Sequence, residues 1–189
     1  KKDRNCAGLE AIENHQKFLY SSLTNAEQID VIFHTYRDTP ETDKRLVQLL
    51  KPVAYEFQDS NEAVNMHHSV LRASKIAQTF IKPNSVVINL RFDLFFKTEI
   101  SRFHFDFAYF NLLWREPLRN YVCDLLYAYP GSMHASFIKV VLSARPKRCL
   151  HLIENELKKR TKYRFVLKSR HQSGMQQIQN PIVELLSKN

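Results

Sequence analysis

Apolar positions recur along the chain with two different periods, and where each period holds it predicts an element. Leu9, Ile12, Leu19 and Leu23 fall at helical spacing and predict an amphipathic helix from about Cys6 to Ser22. Ile29 to Tyr36 is β-branched and aromatic, the composition of a buried strand. Thr39 followed by Pro40 and Glu41 reads as an N-cap with proline in the first helical position, opening a helix to Leu50. Pro52 to Phe57 is a second short strand, and Ser60 or Asn61 opens a long helix to Ile81 with Val64, Leu71 and Ala77 on its inner side, stopped at Pro83-Asn84. Ser85 to Phe96 starts as an unbroken apolar run, the pattern of a central strand covered on both faces.

The second half is less regular. Phe103, Phe105, Phe107 and Tyr109 alternate and predict a strand with one aromatic face; Val122 to Tyr129 predicts another, closed by Pro130-Gly131. Helices are expected around Ser132 to Ser143 and Lys147 to Lys159, then a strand Tyr163 to Leu167 and a helical turn near Pro181 to Leu186. Helices alternating with buried strands argue for an α/β sandwich whose sheet is mixed but mainly parallel. Nothing rich in Gly, Ser or Pro divides residues 1–189, so one domain is expected. Such sheets usually open with a strand, whereas this chain opens with a helix. A leading strand outside the sequence, and a longer parent polypeptide, are therefore expected.

Composition narrows the chemistry. Three glycines, Gly8, Gly131 and Gly174, cannot write a G-x-G-x-x-G fingerprint or a P-loop. Cys6, Cys123 and Cys149 are odd in number and widely spaced, which suggests neither a disulfide framework nor a zinc site and fits a reducing, cytoplasmic compartment. The most apolar stretches are interrupted by Arg91, Asp93, His104 and Asp106, so no membrane span is expected. Of the net charge of +9, nearly all sits between Arg145 and Arg170, where ten Lys or Arg face only Glu154 and Glu156. An anionic partner, if there is one, should meet that segment.

Asn89-Leu-Arg-Phe-Asp93 carries the sharpest chemical signal. An apolar central strand that ends in charges sets them at the carboxyl edge of the sheet, where open α/β sheets bind ligands. Arg91 and Asp93 are two apart and would project to one side of an extended chain. There Asp93 suits a hard divalent cation, or pairs with Arg91 or caps the next turn. His67-His68 and His15 lack the i, i+4 spacing of a helical metal pair and read as structural, with His68 a secondary donor-site candidate.

Asp30-Val-Ile-Phe-His-Thr-Tyr36, Lys51-Pro52 leading to Tyr55-Glu56-Phe57, Val87 to Phe96, Trp114-Arg-Glu116, Cys123-Asp124 through Pro130-Gly131, and a late His171 follow one order. In that order the chain resembles the GT-A-like glycosyltransferase domains encoded by large DNA viruses of algae, over about residues 30–171. The resemblance implies a GT-A-like, Rossmann-like fold, a nucleotide-sugar donor, a glycan acceptor, and a divalent metal at an Asp-x-Asp type motif. Arg91 occupies the first position of that motif and Asp93 the second. It implies further that His171 completes the metal shell, which favours Mn²⁺ over Mg²⁺ because imidazole sits beside carboxylate. Asp124 falls where the family has an acidic residue near the acceptor.

Independently of the family, transfer from a nucleotide diphosphate sugar needs its leaving group neutralised by metal, by cations or by both. Arg91, Arg72 and the basic segment supply cations, and His34, Thr35 and Tyr36 end a strand where a nucleoside, UDP in the leading reading, can stack and hydrogen-bond. An inverting reaction also needs a base for the acceptor hydroxyl, Asp124 or alternatively Glu116. Trp114 suits a sugar ring or the core. Two other readings stay open: a nucleic-acid-binding domain using residues 145–170, and a non-catalytic sugar-binding module. A virus-encoded enzyme of this kind would act in the host cytoplasm, beside other domains of its polypeptide.

Overall fold

The computed structural model describes residues 4–23, 26–59, 66–92, 94–96, 99–116, 121–122, 126–143, 153–167 and 183–185. Among them run α1 (Arg4–Phe18), β1 (Ile32–Tyr36), α2 (Pro40–Leu50), β2 (Ala54–Gln58), α3 (Met66–Ala77), β3 (Val86–Leu90), β4 (Leu94–Phe96), β5 (Phe110–Leu112), β6 (Arg115–Glu116), β7 (Tyr121–Val122), β8 (Leu126–Pro130), α4 (His134–Ser143), α5 (Ile153–Leu157), β9 (Tyr163–Phe165) and β10 (Val183–Leu185). The expected start of α2 is present in full. Thr39 is extended and its Oγ1 accepts from the Thr42 amide at 3.2 Å, Pro40 occupies the first turn, and Lys51 ends the helix in the left-handed region at φ 45°. No helix among the described residues is long and apolar enough to cross a membrane.

The protein is a mixed α/β structure. β1 and β2 form a parallel pair with His34 opposite Glu56 and Tyr36 opposite Gln58. A four-stranded sheet has the order β3, β8, β5, β9. Its β3–β8 and β8–β5 ladders are antiparallel and its β5–β9 ladder is parallel, so β3, β5 and β9 run one way and β8 alone runs against them. The sheet is thus mixed, and the expectation of a mainly parallel one is corrected: β8, placed between two co-directional strands, makes two of its three ladders antiparallel.

Alternate residues divide this sheet between two cores. Phe110, Leu112, Tyr127 and Tyr129 meet Phe137, Val140 and Val141 of α4 and Ile153 and Leu157 of α5, with Val70 and Leu71 of α3 packed alongside. Leu113, Leu126 and Ala128 face the other way, toward Leu94, Phe96, Ile100, Phe103 and, from beyond α1, Leu19. A third core joins Ile12 of α1, Phe33 of β1, and Leu46 and Leu50 of α2. Buried histidines tie these layers. His15 bonds the Leu94 carbonyl at 2.6 Å, His67 bonds the Val141 carbonyl, and His134 bonds the Ser74 carbonyl at 2.8 Å and the Tyr129 hydroxyl at 3.1 Å. The structural reading of His15 and His67 therefore holds.

Three further expectations are corrected. The extended run expected from Ser85 to Phe96 ends at Leu90, turns at Phe92 and resumes as β4, which leaves the main sheet and pairs with β10. Arg91 thus lies outside the strand, and Asp93, on which the expected same-side geometry depends, lies outside the described residues. Phe103 to Tyr109 is not a strand. Its rings do stack in succession, Phe103 on Phe105 at 5.8 Å and Phe105 near Phe107 at 5.9 Å. The backbone, however, is held in a turn by Asn111. That fully buried amide accepts from the Asp106 N–H and donates to the carbonyls of Asp106, Tyr109 and Ala128. Finally, Val183–Leu185 is a strand paired with β4 rather than a helical turn, because β4 offers it a backbone edge.

Candidate functional site

The residues singled out from sequence fall into two groups. The first lies on one face of β1 and β2, beneath α3. His34 and Tyr36 alternate onto this face with Glu56 and Gln58, and α3 adds His68, Ser69 and Arg72. His34 Nε2 meets Gln58 Oε1 at 3.1 Å, the Tyr36 hydroxyl meets Ser69 Oγ at 3.1 Å, and the His34 and His68 rings lie 5.9 Å apart. Arg72 binds both oxygens of Glu56, with Nε at 3.0 Å. Thr35, by alternation, belongs with Phe57 on the opposite face.

The electrostatics of this group follow from burial. His34 is 6% exposed, and burial lowers its pKa against the opposing pull of Glu56, so the ring is neutral near neutral pH. With Nε2–H donated to Gln58, Nδ1 is an acceptor, and it has no hydrogen-bond partner among the described residues. Glu56 is held below the usual carboxylate range, first by its hydrogen bonds from Arg72. Arg72 is thus engaged by a carboxylate. Glu56, Gln58 and Ser69 are the members that sequence reading missed. The polar alternation Glu56, Gln58 around Phe57 was the available signal for the first two; Ser69 carried none.

The second group gathers at one edge of the four-stranded sheet. β3, β5 and β9 end there and β8, running the other way, begins there. Leu90 is registered with Leu126, and Leu112 with both Tyr127 and Phe165. Arg91 follows β3 at this edge, Trp114 and Arg115 follow β5, and the backbone of Leu167 still bonds the Leu113 carbonyl at 2.8 Å beyond β9. The Glu116 backbone lies in β6, opposite Tyr121 of β7. Asp93, Asp124 and His171 lie outside the described residues, as does the Glu116 side chain. Their nearest described neighbours are Phe92 and Leu94, Val122 and Leu126, and Leu167. Among the described residues no group of three or more His, Cys, Asp or Glu is placed to hold a metal.

Two further features bear on partners. A shallow groove of about 480 Å³ runs between α2 and β2, lined by Arg37, Lys44, Tyr55 and Phe57 among others, on the face opposite His34 and Tyr36. The described cations of the basic segment are largely met within the protein. Lys158 lies 3.3 Å from Glu154, Lys159 2.8 Å from Glu156, Arg164 3.5 Å from Asp106, and Arg160 3.3 Å from Ser143 Oγ. No family model, curated protein or solved structure matches the chain.

Proposed function

We propose that the chain is a GT-A-type glycosyltransferase domain that moves a sugar from a nucleotide diphosphate sugar, UDP-linked, to a glycan acceptor. The observation that carries this reading is the meeting of chain segments at one sheet edge. The ends of β3, β5 and β9 and the start of β8 are far apart in sequence and share that edge, and along the chain Asp93, Glu116, Asp124 and His171 stand within six residues of them. Such an edge is where open α/β sheets hold ligands.

In this reading Arg91 faces the donor diphosphate, and Asp93 with His171 holds Mn²⁺, or Mg²⁺ in its place. A bound divalent ion would neutralise charge on the leaving diphosphate. Carboxylate with imidazole is a donor set Mn²⁺ accepts. Asp124, or Glu116, takes the acceptor hydroxyl proton. His34 and Tyr36 contact the nucleoside, Thr35 being on the other face of β1, and the buried Nδ1 of His34 offers an acceptor to a ligand N–H or hydroxyl. Arg72 gives its Nε and Nη2 to Glu56, and Arg91 supplies a second cation. The enzyme would work in the cytoplasm, the host's if virus-encoded, alongside other domains of its polypeptide.

Calorimetric titration with UDP, with and without Mn²⁺, tests the reading. Metal-dependent binding is expected, lost in Asp93→Ala, and transfer slowed without loss of UDP affinity in Asp124→Asn. Absence of metal-dependent UDP binding would overturn the donor assignment.

A further inference from the structure

At the end of the four-stranded sheet opposite the candidate site, β3, β5 and β9 begin and β8 ends, with Val86 registered beside Pro130 and Phe110 beside Tyr163. Four stretches, 78–86, 106–109, 130–135 and 159–163, make up this rim and are bonded to one another. The Gly131 and Ser132 amides donate to the carbonyls of Ser85 and Pro83, and Thr161 Oγ1 donates to Met133 Sδ at 3.2 Å. The Phe110 amide donates to the Lys162 carbonyl at 2.9 Å, and Arg164 lies 3.5 Å from Asp106.

Two properties meet on this rim, and the first is charge. The four stretches hold Lys82, Lys159, Arg160 and Lys162 against a single acid, Asp106. Asp106 is taken by Arg164 and Lys159 by Glu156, whereas Lys82 and Lys162 are exposed and have no acidic partner among the described residues. The second is exposed apolar surface. Phe80 is 38%, Val86 51% and Phe107 36% exposed. Phe107 ends the column of rings that starts at the buried Phe103, and the Asn111 amide fixes the turn beneath it, so this exposed ring stands on a firm base.

Apolar side chains set among unpaired lysines match a layered partner, negative at its surface and hydrocarbon within. Lysine suits that geometry, because its stem lies along apolar surface while the ammonium stays level with the headgroups. Nucleic acid fits less well: Val86 offers no ring for a base to stack on, and the two unpaired cations are lysines rather than bidentate arginines. We infer that this rim docks the protein on a bilayer of anionic phospholipid. Phe80, Val86 and Phe107 enter the interface, and Lys82 and Lys162 meet the anionic headgroups. The candidate site, at the other end of the same strands, then lies on the side away from the bilayer. The inference rests on the rim alone and is independent of the proposed function.

Sedimentation with lipid vesicles tests it on the 189-residue chain. We expect binding to vesicles of phosphatidylcholine and phosphatidylserine in equal parts, and none to phosphatidylcholine alone. Lys82→Glu combined with Lys162→Glu should weaken that binding at least about tenfold, since each lysine near an anionic surface contributes about a factor of five. Lys44→Glu combined with Arg45→Glu makes the same change of net charge on α2, outside the rim, and should weaken it less than about threefold. Phe107→Ala, which leaves the charge alone, should weaken it at least about threefold. The charge reversals alter exposed side chains and should leave the thermal melt as in the wild type, which separates lost docking from lost folding. Equal binding to both kinds of vesicle, or binding to neither, would overturn the inference. An equal loss in the α2 variant would overturn it by reducing the effect to net charge. Single-stranded RNA that displaces the protein from vesicles through Lys82 and Lys162 would overturn it in favour of a nucleic-acid partner.

Discussion

Glu154 is a buried carboxylate whose removal has a calculable effect. Its side chain is 6% exposed, and its Oε1 receives Arg115 of β6, Lys158 one turn on at 3.3 Å, and the Tyr163 hydroxyl of β9 at 2.7 Å. Burial alone pushes this carboxyl up; the hydrogen bonds from Tyr163 and Lys158 and the charge of Arg115 outweigh it and hold the pKa below the ordinary 4.5. Glu154→Gln keeps the shape and an acceptor for Tyr163 but removes the charge. Breaking a fully buried ion pair costs about 3–5 kcal/mol. Arg115 and Lys158 are 38% and 52% exposed and regain water, which brings the pair toward the weaker surface regime. We expect about 2 kcal/mol between these limits, a fall in Tm of roughly 4–8 °C for a chain of this size. Urea and thermal unfolding read it directly. Because the folded pKa is depressed, the contribution is complete above the unfolded value and is lost as pH falls through the folded one, so the gap between wild type and variant should narrow progressively as pH falls below 4.5. Equal stabilities near neutral pH, or a gap that persists unchanged in acid, would refute the reasoning.

Burial lowers the His134 pKa, against a smaller upward pull from its bond to Ser74, so folding disfavours its protonation. Its share of stability is present above the unfolded value of 6.5 and is lost as pH falls; His134→Gln should flatten the fall in urea midpoint below about pH 6.5, leaving the part due to His34. Gly131→Ala would set a Cβ 2.9 Å from Ile81 Cγ2 and within contact of the Lys82 carbonyl, and thermal melts should show a loss of about 1–3 kcal/mol or more.

What sequence could tell depended on whether the cause was local. The Thr39-Pro40 start of α2 is written in adjacent residues, and the apolar core of β3 in a continuous run; both are present. The turn at 103–109 mimics a strand because alternating phenylalanines satisfy a period of two whether they line a pleat or stack on one another. What decides is the Asn111 amide and its bond to Ala128, a contact across the sheet. Val183–Leu185 was likewise unreadable, since its partner β4 lies some ninety residues earlier. At the site, His34 and Tyr36 were legible as a strand end, but the pairing of Arg72 with Glu56 depends on α3 crossing β2. The pairing of Arg164 with Asp106 was likewise illegible, because the two are remote in sequence.

Asn111 also bears on how this protein can change over generations. A loop shaped by its own residues tolerates few replacements, but the turn at 103–109 is gripped from beneath by one side chain. Aspartate there would lose the donors, and alanine would take a donor from three carbonyls and the acceptor from the Asp106 amide at once, the Asp106 carbonyl keeping only the Tyr109 N–H. The outward residues Phe107 and Ala108 are under no such constraint. Variation at the tip, anchored by a fixed Asn111, gives the lineage a place to try new surface chemistry without renegotiating the fold.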